Sequence, residues 1–283
     1  GRRFAVSITI NLPYPLGIQT FFYPSGFLNR TAVASYHMEI FGGLRKALHK
    51  DELTLHYQPK IDLLSSKIQS VEALLRWPAT GITPDVFIPV AEKTGLICEI
   101  TRWVVQEVAR QMSEWQKQGI QLKVAINIST RDLLNKSITA FIVNAFDAQG
   151  VDKSQVIIEV TEGAVMKHAK LAIERLTFLR EQGFGVAIDD FGTGYSSLAY
   201  LSALPATELK IDQRFVGGML ESERDKKLVK AIIGLAHEFG LYVVAEGVEH
   251  QNQAKLLQEF GCEMMQGYLF SRPVTADELV KLL

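Results

Sequence analysis

Cysteine is scarce in this chain: 283 residues contain two, Cys98 and Cys262, far apart and in no metal-type spacing. That excludes a disulfide framework and a thiolate zinc site. The expectation is a pair of core thiols in a reducing compartment. Paired histidines are also missing. His56 and His237 have no second histidine at ligand spacing, and both read as structural. Nor is there an excess of one charge: 30 Lys and Arg stand against 31 Asp and Glu, a net charge of −1. A polynucleotide-binding protein usually carries a strongly basic face, so no nucleic-acid polymer is expected as a partner. A small phosphorylated ligand held by metals needs no such face. No repeat or low-complexity stretch occurs.

A clean membrane-spanning run is absent as well. Residues 4–29 carry no charge, but Asn11, Pro13, Pro15, Gln19, Pro24 and Ser25 interrupt them. Such a segment makes a poor spanning helix, and no membrane span is expected within the chain. No small-residue cleavage site follows a compact apolar core, so no signal peptide is expected. The segment FAVSITINLPY alternates like a strand. Residues 1–37 read as a linker or the end of an upstream domain, and the Gly1 start points to a piece of a longer chain.

What is present is a 47% hydrophobic chain, enough for one large core of barrel size. Apolar strand-like runs recur along it, most of them separated by helix-like stretches, which is the pattern of a parallel α/β protein. Residues 37–50 read as an amphipathic leading helix. Strands are expected at 51–62, 67–77, 121–129, 155–162, 184–190, 207–212, 241–246 and 263–269, eight in all. The first two are joined by a loop too short for a crossover helix, so they are antiparallel. Thr83 is a candidate helix N-cap with Pro84 at the first helical position. Ile100, Val104, Val108 and Met112 form a core stripe at helical spacing along 97–119. Gly119, Gly150, Gly183, Gly240 and Gly261 stand where helices end.

Polar residues close these runs. Gln58 follows LTLHY, Glu72 follows IQSV, Asn127 follows LKVAI and Glu159 follows QVII. Asp189-Asp190 follow FGVAI, Lys210 follows ATEL, Glu246 follows LYVVA and Gln266 follows CEMM. In a closed barrel the C-terminal strand ends meet on one face, where the active sites of such barrels lie. Five carboxylates and an asparagine in one pocket need cations, and oxygen-rich clusters suit Mg²⁺ or Mn²⁺. Adjacent Asp189 and Asp190 point differently at a strand end, so one can bridge two metals. Taken one at a time the features are weaker. Glu72 and Arg76 resemble a surface ion pair, Asn127 a buried hydrogen-bonded amide, and Lys210 a counter-ion or a group that orients and helps deprotonate a metal-bound water.

Together these segments resemble a known family. EALLRW at 72–77 is similar to the signature for which EAL domains are named. HYQPKIDL, TPDVFIPVAEKTGLI, INIS, EVTE, DDFGTGYSSL, LKID, AEGVE and QGYLFSRP follow in that family's order, over about residues 38–283. The resemblance implies an α/β fold, a (β/α)₈ TIM-like barrel with an antiparallel first strand. It implies hydrolysis of cyclic di-GMP to linear pGpG by metal-activated water, with two Mg²⁺ or Mn²⁺ per site and Ca²⁺ inhibitory.

Residue by residue, Glu72, Asn127, Glu159 and Asp189 match one metal site, and Asp189, Asp190 and Glu246 the other. Lys210 matches the lysine that contacts the attacking water. Glu72, Asp189 and Lys210 are thus the catalytic candidates. Gln58, Arg76 and Gln266 match substrate positions, and Glu162 matches the anchor of the loop Asp190–Ser196. Gly163 stands where the family often has serine and touches no ligand. The family further implies a homodimer, an upstream sensory or GGDEF domain, a cytoplasmic bacterial location and a full-length parent tethered to a membrane in some members. The alternative is a catalytically silent cyclic di-GMP receptor on the same fold, a reading that usually accompanies lost ligands. Another metal-assisted barrel enzyme is the remaining rival, since fold alone does not fix chemistry.

Overall fold

The computed structural model describes the backbone of residues 5–11, 18–24, 28–193 and 198–283, and side chains within 34–193 and 201–283. The chain divides into two units, residues 1–54 with 75–97, and residues 55–74 with 98–283.

In the first unit, β1 (Ala5–Asn11) pairs antiparallel with β2 (Ile18–Pro24). The alternation in FAVSITIN had predicted a strand there. Helix α1 (Leu28–His49) begins well ahead of the expected 37 and runs unbroken through residue 38. Its Ile40, Leu44 and Ala47 are buried at helical spacing. Gly43 is required where the Trp77 indole crosses α1: a Cβ there would stand 2.8 Å from the ring. Trp77 meets Phe87 edge-on, with ring centroids 6.2 Å apart. Phe87 belongs to α2 (Pro84–Thr94), which has Pro84 in its first turn as predicted. The expected cap is only half realised, because Thr83 is extended but its hydroxyl makes no capping bond.

The second unit carries the barrel. Its strands are β3 (Thr54–Asp62), β4 (Ile68–Arg76), β5 (Lys123–Asn127), β6 (Val156–Thr161), β7 (Gly185–Phe191), β8 (Glu208–Ile211), β9 (Tyr242–Ala245) and β10 (Met264–Gln266). They close in the order β10-β3-β4-β5-β6-β7-β8-β9. From β4 to β10 every neighbour is parallel, while β3 runs antiparallel to β10, with Lys60 opposite Gln266. The eight expected strands and the antiparallel first strand are therefore present. A tight turn reverses the chain after β3: the Asp62 carboxylate accepts from the Leu64 and Ser65 N–H groups at 3.1 and 2.6 Å.

Crossover helices follow in turn. They are α3 (Ile97–Lys117), α4 (Thr130–Leu134), α5 (Ile138–Gln149), α6 (Glu162–Lys167), α7 (Ala169–Glu181), α8 (Leu198–Ala203), α9 (Gln213–Gly218), α10 (Glu223–Glu238), α11 (Gln251–Glu259) and α12 (Ala276–Val280). Ile100, Val104, Val108 and Met112 are buried along α3, and the five predicted glycine stops all adopt positive φ. Cys262 is buried, whereas Cys98 is only half-buried, so one of the two expected core thiols sits at the edge of the core.

The strand pattern explains the interior. Side chains alternate faces along a strand, so residues two apart share one face. Ala125, Ile157 and Ala187 form one buried apolar layer. Two residues on stand Asn127, Glu159 and Asp189. The alternate residues Val124, Ile126, Ile158, Val186 and Ile188 are buried as well. These strands therefore read as nearly continuous apolar runs, as doubly covered parallel strands do.

Candidate active site

Parallel strands of matched length deliver their C-terminal residues to one end of the barrel. Glu72, Asn127, Glu159, Asp189 and Lys210 arrive there on β4 to β8, Glu246 directly follows β9, and Gln266 ends β10. At the centre lies the Lys210 ammonium, fully buried. Its Nζ is 2.7 Å from Glu246 Oε1, 2.8 Å from Glu159 Oε2, 3.1 Å from Asp189 Oδ2 and 3.3 Å from Glu72 Oε2. A second buried ammonium, Lys60 on β3, bonds Glu159 Oε1 at 2.5 Å. Glu72 also accepts from Asn127 Nδ2 at 2.7 Å and from Gln266 Nε2 at 2.8 Å. Gln266 Nε2 donates to Gln58 Oε1 at 2.9 Å, and Gln58 Nε2 reaches the Ser271 carbonyl at 3.3 Å.

The carboxylates fall into two groups that share Asp189. Glu72, Glu159 and Asp189 bring ligand oxygens within 4.8 Å of one another, as do Asp189, Asp190 and Glu246. Carboxylate oxygens so arranged suit a hard divalent cation such as Mg²⁺ or Mn²⁺. A second observation points to a ligand: Gln266 Oε1 is buried without a hydrogen-bond partner. It lines a cavity of about 210 Å³, together with Gln58, Glu72, Gln213, Glu246, Glu249 and Tyr268. Gly267 is obligatory at its wall, because a Cβ there would stand 2.1 Å from the Val248 carbonyl oxygen.

Charge is unevenly shared in the cluster. Burial pushes Glu72 upward, but the ammonium groups of Lys210 and Lys60 and the amides of Gln266 and Asn127 outweigh it and hold its carboxyl at about 2. Burial dominates at Glu159, which stays at about 6 despite both lysines. Burial raises Glu246 to about 8, and the neighbouring Asp189 and Glu72 charges add to it although Lys210 opposes. Burial, the Asp189 charge and a hydrogen bond with Asp212 put Asp190 at about 6. Lys210 is held charged: burial opposes the charge, and four carboxylates overcome it.

Asp190 is also conformationally unusual, with φ of 55°, a region that side chains other than glycine adopt rarely. Its N–H donates to Asp189 Oδ1 at 2.8 Å. Just beyond it, the Gly192 N–H donates to Glu162 Oε2 at 2.9 Å. Residues 194–196 of the expected loop lie outside the described residues. Arg76 ends β4, half-buried, donates to the Leu75 carbonyl at 2.9 Å and falls in the first unit. The other predicted site residues apart from Glu162 come together around Lys210 and the cavity. His56 and His237 make ordinary structural contacts, with the Pro273 carbonyl at 3.3 Å and with Glu263 at 3.0 Å.

Sequence reasoning missed Lys60, Asp212, Gln213, Glu249 and Tyr268. For the first two a signal existed. Lys60 shares a strand face with Gln58, and Asp212 lies two residues beyond Lys210. Two lysines and two amides donate to or stabilise the Glu72 carboxylate, so its loss would strand donors.

Comparison with known proteins agrees with this geometry. The EAL domain pattern matches residues 43–273. The bifunctional diguanylate cyclase/cyclic di-GMP phosphodiesterase MucR of Pseudomonas aeruginosa is 42% identical over 253 residues, covering 88% of this chain and 37% of that protein. The oxygen sensor protein DosP of Escherichia coli is 39% identical over 240 residues, covering 83% of this chain and 30% of that protein. The chain thus spans about a third of the length of these relatives. Among solved structures, the MucR phosphodiesterase in complex with c-di-GMP superposes with a TM-score of 0.82 at 42% identity, covering 85% of this chain and 99% of that one. An EAL enzyme solved with cAMP and cyclic di-GMP bound gives a TM-score of 0.84 at 32% identity, covering 89% and 70%.

Proposed function

This chain belongs to the EAL domain family, and on that premise we propose that it binds cyclic di-GMP at the C-terminal end of the barrel and hydrolyses it to linear pGpG. The observation that carries the reading is the pair of carboxylate groups that meet at Asp189 beside a polar cavity. The likeness to a phosphodiesterase solved with c-di-GMP supports the substrate. Glu72, Asn127, Glu159 and Asp189 would hold one Mg²⁺ or Mn²⁺, and Asp189, Asp190 and Glu246 would hold the other. Bound there, two such cations supply Lewis acidity toward phosphoryl oxygens and make hydroxide available near neutral pH.

The chain's own groups do the rest. Lys210 keeps its proton and points an ammonium into the cluster, where it orients the attacking water and balances charge as the ribose 3′-oxygen leaves. Gln266 offers its unpaired Oε1, and Gln58 fixes that amide through its own carbonyl, so the two position the nucleotide; Arg76 is assigned the same role from the family pattern. Glu162 holds the backbone after Asp190 through Gly192. Ca²⁺, with longer bonds and looser geometry, inhibits. The reading includes a cytoplasmic homodimer and an upstream sensory or GGDEF domain in the full-length protein. Among the described residues, no helix is long and apolar enough to cross a membrane.

One experiment tests the reading. Purified protein is incubated with cyclic di-GMP and Mg²⁺, and the products are separated by chromatography. Appearance of pGpG, absent in EDTA, is the expected result. Tight binding of cyclic di-GMP without pGpG would make the chain a receptor, and neither binding nor cleavage would overturn the proposal.

A further inference from the structure

We propose that Lys60 is a positioning residue for the metal site: it pins one oxygen of Glu159 so that the other faces the cations. The inference rests on the metal-dependent reading above. Lys60 and Glu159 are each fully buried, and their 2.5 Å contact joins β3 to β6 across the barrel interior. It is the sole hydrogen bond of the Lys60 ammonium among the described residues.

The two buried lysines have different jobs. Lys210 touches Oε2 of Glu159, Oε2 of Glu72 and Oδ2 of Asp189, the oxygens that converge on one point. On this proposal, a cation entering among Glu72, Glu159 and Asp189 takes those same oxygens. Lys60 touches none of them. It holds Glu159 Oε1 from the other side and keeps its bond whether or not the cation is present. With all five carboxylates ionised, the two ammonium groups leave three net negative charges in the cluster, which two divalent ions overcompensate. A buried carboxylate with one oxygen fixed by a cation and the other directed at a metal is a ligand already oriented before binding. Groups that orient a metal ligand in this way raise affinity although they never touch the metal.

Two simpler roles compete. Lys60 as a plain structural strut would stabilise the barrel and leave metal binding alone. Lys60 as an uninvolved nearby charge would repel cations, so its loss would tighten binding. The variant Lys60→Met keeps an unbranched side chain, one atom shorter, and removes its charge. Free Mn²⁺ is followed by its electron paramagnetic resonance signal, without substrate, in wild type, Lys60→Met, Glu159→Gln and the double variant. Thermal unfolding of each in EDTA accompanies it.

Lys60→Met is expected to weaken Mn²⁺ binding about 10–100-fold, the range for groups that orient a ligand. In the Glu159→Gln background the same change is expected to have no effect. Unchanged or tighter Mn²⁺ binding overturns the proposal, and so does an equal loss in both backgrounds. Should Lys60→Met alone fail to fold, the neutral pair in the double variant still decides. Mn²⁺ affinity matching Glu159→Gln supports the proposal, and a further loss overturns it. A wild-type protein that neither binds Mn²⁺ nor cleaves cyclic di-GMP sinks the functional reading instead, which keeps the two failures apart.

Discussion

Two adjacent layers inside the barrel behave oppositely. Ala125, Ile157 and Ala187 make a small, dry apolar layer. Two residues further along the same three strands, Asn127, Glu159 and Asp189 belong to a layer crowded with charge. The strands are the same, yet the first layer is apolar and fully buried, while the second is polar and less uniformly buried, with Glu159 and Asp189 buried and Asn127 exposed. The apolar layer needs only matched volumes. The charged layer needs compensation, and Lys60 and Lys210 supply part of it. Buried ion pairs of this sort are poor evidence of stability, since desolvation rivals the attraction.

Substitutions can break that contrast, and the largest effect is expected at the residue both carboxylate groups share. Asp189→Asn should lower turnover by about 10²–10³-fold, the order for loss of a preorganised electrostatic group, while the circular dichroism spectrum stays native. Turnover within tenfold of wild type would remove Asp189 from the machinery. Next comes the layer below. Ile157→Ala should destabilise by about 2–5 kcal/mol, the usual cost of a buried truncation. Chemical denaturation measures that cost, and turnover per folded molecule should hardly change. A large loss of turnover with intact stability would mean that the two layers are not separable.

Within the charged layer the members should differ in sign. Glu72→Gln is expected to lower metal-free stability by about 1–3 kcal/mol, because buried donors lose an ionised acceptor. Glu246→Gln, which removes a carboxylate that burial pushes up to about 8, should raise it. Differential scanning calorimetry in EDTA reads both, and matching signs would contradict the charge pattern.

The smallest effect is a pH slope. Glu246 at about 8 and Asp190 at about 6 hold protons more tightly folded than unfolded. Stability of the metal-free protein therefore falls as pH rises from the ordinary carboxylate range through those values. Glu72, at about 2, works in the other direction: its contribution is present above the ordinary range and is lost only toward pH 2. The metal-free melting temperature should therefore drop by a few degrees between about pH 5 and about pH 8.5, and saturating Mg²⁺ should flatten the slope. A slope unchanged by Mg²⁺ would separate these carboxylates from metal binding.

Much of this was legible in the chain itself. The strand-and-helix alternation, the glycine stops and the short link after Asp62 determined a parallel α/β chain with one reversed strand, because each is a local rule of backbone geometry, and the family resemblance implied its closure into a barrel. Polar residues closing apolar runs determined the floor of the site, because parallel strands necessarily bring their C-terminal ends together. Only the tertiary structure decided how charge is distributed there. Lys60 and Glu159 are 99 positions apart in sequence, and Glu72 and Lys210 are 138. Whether Glu72 sits near 2 or Glu246 near 8 depends on burial and on distances across the barrel, and neither quantity exists until the strands close.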